Sequence, residues 1–232
     1  MNPTINIEEI KEKIEEFNSN PAWLTLDKIT GEIFEHKVNT FDIAKQVLII
    51  NRAWGGAVKK YEKQLLENIT GYWNEIGLHI IKIPLTESNK ERIIRKIDIL
   101  WPLFFKNNES GHVFFSKFLH WHAPGTFPIA DKYSRDALRN MEPEVNYRAS
   151  LNNYRNVITA YTKLIENLKN EHSNSRPNIL TELINYDYET QINYPLLQRK
   201  NSLLRVLDKW LWRKGHQEGG DRMAHIDPIS KK

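Results

Sequence analysis

Apolar residues recur every three or four positions along most of this chain, with charged residues between them. That is the periodicity of amphipathic helices. Ile7, Ile10, Ile14 and Phe17 predict a first helix over 6–17, acidic on its outer side. Residues 22–36 depart from the pattern: two short alternating runs flank Thr30-Gly31 and predict a small N-terminal β-hairpin. Thr40 is placed to cap a helix carrying Phe41, Ala44, Val47 and Leu48 on to Asn51. Gly55-Gly56 interrupts it, since paired glycines are poor helix interior residues, and a further helix is expected over 57–74. Residues 78–84 read as an apolar connector or strand. Ser88-Asn89-Lys90-Glu91 has the capping-box pattern and opens a helix through Ile93, Ile94, Ile97 and Leu100 that ends within 101–105.

The middle of the chain differs in kind. After a polar turn at 106–111, Val113, Phe114, Phe115, Phe118, Leu119 and Trp121 make a helix apolar on every side, which is a buried helix. Lys117 and His120 lie within it on one face, and an ammonium in such a place needs a counter-ion, a cleft or a ligand. A Pro/Gly connection follows, and Asp131 stands where the next helix begins. Beyond a loop at 140–146, helices are predicted over 147–169, 178–186 and 195–213, with a linker at 171–177. The last of these is basic and Trp-rich (Lys209, Trp210, Trp212, Arg213, Lys214) and reads as a packed lid. The polar residues 215–232 read as a disordered tail. The sum is an all-α chain of about eight helices. Residues 1–214 form one unit of two packed lobes: 40–140 with the site, and 1–39 with 141–214.

Composition narrows the chemistry. The 232 residues are 27% charged and 40% hydrophobic, ordinary for a globular protein able to bury a core. There is no cysteine, so disulfides, thiolate catalysis and zinc–thiolate or iron–sulfur sites are excluded. No run is long enough for a membrane span, and the acidic N-terminal stretch is unlike a signal peptide; a cytoplasmic monomer with no membrane partner is expected. The net charge of +4 and pI near 9.0 permit a nucleic-acid partner. His120 and His122 are too close in sequence to face one ion from a helix, so no metal is assigned, and no cofactor is expected.

Gly111 to Arg135 resembles the active-site segment of the helix–hairpin–helix DNA glycosylase superfamily. In that family a glycine closes the hairpin, a helix follows, and a catalytic aspartate opens the next helix at the spacing that separates Gly111 from Asp131 here. Phe127-Pro128-Ile129-Ala130-Asp131 is similar to the F-P-I-x-D sequence of the adenine-excising branch, and Arg135 follows where a basic residue is usual. The resemblance implies a two-lobed helical fold, DNA as partner, and cleavage of the N-glycosidic bond of a damaged or modified base. The hypermodified bases of phage DNA, removed as antiviral defence, are one such class. The chain departs from the pattern in its hairpin, where Asn107-Asn108-Glu109-Ser110 replaces the usual glycine-containing turn. It departs again at Val113, which occupies the place of the Schiff-base lysine in bifunctional members. A monofunctional enzyme is therefore implied.

On that reading Asp131, Lys117 and His120 carry the catalysis. Trp54, Trp121 and His122 form the base pocket, with Trp101 a further aromatic able to stack on it, and Gly111, Lys132, Arg135 and Arg139 meet DNA. Each also has an ordinary structural reading. Asp131 can be a plain N-cap, Lys117 can snorkel, and His120 can be a satisfied core histidine. His122 can close a helix end, Trp54 can pack over a helix corner, and the arginines can form a solvated face. The competing functions are a non-catalytic helical DNA-binding protein and a helical protein-interaction domain.

Overall fold

The computed structural model describes residues 5–35, 39–56, 58, 62–105, 111–146, 150–173 and 178–218. Among them are eleven α-helices, more than the eight expected: α1 (Ile7–Asn18), α2 (Pro21–Glu35), α3 (Thr40–Leu48), α4 (Glu62–Gly71), α5 (Trp73–His79), α6 (Glu87–Phe105), α7 (His112–His122), α8 (Lys132–Met141), α9 (Leu151–Glu171), α10 (Ile179–Glu189) and α11 (Leu203–Glu218). A π-helical turn, Ile49–Ala53, extends α3. No described helix is long and apolar enough to cross a membrane.

The expected hairpin is instead α2. Pro21 sits at the start, where its missing N–H costs nothing, and Asn20 Oδ1 accepts from Ala22 N at 2.9 Å. Leu24, Asp27, Gly31 and Phe34 are buried, three or four residues apart, so helical packing overrides the local alternation. Thr30-Gly31 is a packing site and no turn: the Arg199 guanidinium occupies the space a Cβ on Gly31 would take. The C-terminal region differs too. The helix expected from 195 begins at Leu203, where Ser202 Oγ accepts from Arg205 N at 3.2 Å, and it runs past 214 to Glu218. Asn39, one residue before Thr40, caps α3 with a capping box. Pro102 lies inside α6, and the helix over 57–74 is divided into α4 and α5. The degenerate hairpin turn at 107–110 lies outside the described residues, as do the tail residues 219–232.

α7 runs through the middle of one continuous buried cluster; Phe114, Phe115, Phe118 and Leu119 have no exposed surface. It touches α2, the π turn and α9, while α8 packs chiefly on α11, which also receives α1 and α10. The α8–α11 approach is close enough that a Cβ on Gly215 would run into the Tyr133 carbonyl. Replacing a helical glycine by alanine ordinarily stabilises by up to about 1 kcal/mol. Gly215→Ala should instead destabilise, by about 1–3 kcal/mol, because the obstacle is backbone. Gly77→Ala, in exposed α5 with open space around it, should show the ordinary gain. Urea denaturation of the two variants checks this; equal effects would mean that α8 and α11 are not so closely apposed.

Candidate functional site

The site begins with Lys117 in the middle of α7 and Asp131 at the start of α8. Asp131 is extended (φ −81°, ψ −178°) and caps α8, its Oδ1 accepting from Ser134 N at 3.0 Å. Its Oδ2 lies 3.4 Å from Lys117 Nζ. The lysine side chain is only 6% exposed, and its second acceptor is the Trp54 carbonyl at 2.6 Å. That carbonyl belongs to the residue that caps the π turn, a distortion that often marks a functional position. Gly55 follows with φ +64°, turning the chain away. The Trp54 indole N–H donates to Thr30 Oγ1 at 2.8 Å, and its ring lies 5.8 Å from Lys117 Nζ. Sequence neighbours of three different elements thus converge on one ammonium.

A second charged group adjoins the first and had no counterpart in the sequence reading. Arg205 of α11 clasps Asp27 of α2 with two bonds, Nη2 to Oδ1 at 2.6 Å and Nε to Oδ2 at 3.2 Å. Its Nη1 donates to Asp208 Oδ2, and Asp208 Oδ1 accepts from Ser134 Oγ at 2.7 Å. Lys209, fully buried, donates to Asp187 at 2.6 Å and to Asn18 at 2.8 Å. Ser134 therefore holds Asp131 through its amide and Asp208 through its hydroxyl. Burial pushes the Asp208 carboxyl up to about 6, with the charge of Asp131 adding to it and Arg205 opposing it.

Both groups open on one cavity of about 680 Å³, within the range of small-molecule sites. Lys117, Asp131 and Asp208 line it as buried side chains, and Trp23, Trp54, Tyr133 and Trp212 as half-buried ones. The Trp23 and Trp212 rings meet edge to face at 4.8 Å, and Tyr133 meets Trp212 at 5.6 Å. The cavity combines an ion-paired carboxylate with aromatic walls, an arrangement able to hold a flat ring and to stabilise positive charge near it.

Of the residues singled out by sequence, Asp131, Lys117, Trp54 and Lys132 are brought to this cavity. The others lie elsewhere. His120 has no exposed surface, its Nδ1 donates to the Phe127 carbonyl at 2.8 Å, and burial lowers it to about 3. His122 is wedged among Phe34, Trp73 and Phe118, with Nε2 3.1 Å from Gln46 Oε1; burial lowers it likewise to about 3. Both rings are neutral, and neither lines the cavity. Trp121 supports Trp54 from behind, ring centroids 5.7 Å apart, and Trp101 packs on Phe105 and Phe115. Arg135 is buried and braces the connection, Nε to Asp131 O at 3.0 Å and Nη1 to Asn146 O at 3.3 Å. Arg139 is half-exposed farther along α8. Gly111 caps α7 with φ +129°, its α-carbon pressed against the Phe105 ring. No protein-family model, no curated protein and no solved structure matches the chain.

Proposed function

We propose that the protein is a DNA base-excision glycosylase of the monofunctional type, removing a damaged or modified base flipped into the cavity between α7, α8 and α11. The observation that carries the reading is the Asp131 carboxylate, capped on one oxygen and facing Lys117 on the other, at the wall of an aromatic-lined cavity of about 680 Å³. Breaking an N-glycosidic bond builds positive charge on the sugar, and a carboxylate beside C1′ stabilises it and orients the attacking water. Aromatic faces receive the unstacked base. Lys117, bonded to a carbonyl and a carboxylate, acts as a fixed charged donor. The family resemblance of residues 111–135 points to the same chemistry.

Incubating the protein with duplexes bearing varied damaged and modified bases, then treating with alkali, tests the reading through the abasic sites revealed. Wild-type protein that releases no base from any of them sinks it. Lys132, exposed at the cavity rim, is placed to meet a backbone phosphate. Lys132→Ala is expected to weaken DNA binding and to lower the slope of log affinity against log salt by about one, with base release from bound DNA little changed. An unchanged slope in fluorescence-anisotropy titrations would remove the phosphate contact.

A further inference from the structure

A proton delivered to the base eases its departure, and the residues that sequence offered for it do not supply one. His120 and His122 are neutral and outside the cavity, and Lys117 is committed to Trp54 O and Asp131. From α11 the same space is faced by Arg205, held by Asp27, and by one carboxyl. Asp208 lines the cavity while only 2% exposed, and Ser134 ties it to the capping aspartate. Resting on the function proposed above, the geometry points to Asp208 as a second catalytic carboxyl, the general acid that protonates the leaving base while Asp131 stabilises the sugar.

The surroundings suit an acid whose conjugate base must be tolerated. Asp208 is joined on its own helix to Arg205, whose clasp on Asp27 of α2 uses Nε and Nη2 and leaves Nη1 to donate to Asp208. From α8 come Asp131 and the Ser134 hydroxyl, from α7 Lys117, and from α9 the Tyr161 phenol. Lys209, on the next position of α11, is occupied by Asp187 of α10. On the α1 side Glu16 takes Arg213 and Lys13. Burial and the nearby Asp131 charge favour the protonated form, whereas Arg205 and Ser134 receive the charge once the proton has gone. Two carboxyls in different surroundings on one cavity are the usual basis of a divided acid and electrostatic role.

The step balances simply. The C1′–N bond breaks with its electron pair passing to the base, and the Asp208 proton joins the base. Water adds to C1′, and the proton it sheds returns to the Asp208 carboxylate through cavity water. Only the protonated form works, so the rate holds below pH about 6 and falls as pH rises through it.

Single-turnover base release measured from pH 4.5 to 8.5 tests the assignment. Wild type is expected to lose about tenfold per unit above the break, and Asp208→Asn to be at least roughly 100-fold slower at pH 5.5 with no break. Should Asp208→Asn fail to fold, Ser134→Ala gives an independent reading. It keeps the amide that caps Asp131 but removes a donor that favours the Asp208 anion, so the break should move to higher pH. A merely structural serine would not move it. Carbon-13 carboxyl titration of the wild-type protein reads Asp208 directly, with a midpoint near 6 expected. A midpoint below 4.5, or a rate level from pH 5 to 8 that still depends on Asp131, would overturn the acid role alone. Failure of every DNA to release a base would bring down the function proposed above, whatever Asp208 titrates.

Discussion

Asp131→Asn is expected to reduce base release by roughly 10²–10³-fold and to lower stability by about 3 kcal/mol as Lys117 loses its counter-ion, with the fold and DNA binding retained. Asparagine caps a helix about as well as aspartate, so Oδ1 keeps its bond from Ser134 N and α8 stays in place. What goes is the negative charge beside the sugar. The amide group now faces Lys117 where a carboxylate oxygen lay 3.4 Å away, leaving the ammonium with the Trp54 carbonyl alone. Circular dichroism and anisotropy report the fold and the binding, and quantified abasic sites report the chemistry. Undiminished release in this variant would leave Asp131 as a cap and nothing more.

No covalent adduct between the protein and DNA is expected on borohydride treatment, and strand cleavage should require added alkali or a lyase. An amine attacks as a free base, and Lys117 Nζ is instead held as a donor by two acceptors. Val113, which lies a turn earlier on the cavity wall, offers no amine at all. Lys117→Met keeps the apolar stem and removes the charge. It should lower base release by about 100-fold, the scale of one lost charged donor. It should also lower stability by about 3 kcal/mol, since a mostly buried carboxylate loses its partner. Thermal unfolding separates the two effects. A borohydride-stable adduct that vanishes in Lys117→Met would make the lysine a nucleophile and the protein bifunctional.

What could be read from the sequence depended on how local the cause was. The caps were local: Asp131 could be placed at the start of α8 and a helix start assigned within a residue of Asn39 because capping involves only the next turn. α7 was legible for the same reason, its apolar and aromatic residues falling on every side of the helix. Thr30-Gly31 misled because its glycine answers to Arg199, distant in sequence and adjacent in space. The histidines misled differently. Lys117 and His120 share a face only loosely, and that offset sends one toward the cavity and the other against Phe127 O. Arg205 and Asp208 went unread because α11 looks like an apolar helix decorated with charge. The stripe Arg205, Asp208, Trp212 at helical spacing was the signal available, a charged row on a helix otherwise rich in leucine and tryptophan.

The clasp between Arg205 and Asp27 joins residues 178 positions apart. Its consequence is temporal. Closing a loop of that span costs the most chain entropy, and dependence on such contacts slows folding. α11 supplies Arg205, Asp208 and Trp212 to the cavity, whereas the Asp131 cap and the Lys117 bond to the Trp54 carbonyl do not involve it. The cavity therefore takes its final shape only when α11 has packed, and chains that have not reached that step carry Asp131 and Lys117 without the wall that Arg205, Asp208 and Trp212 supply.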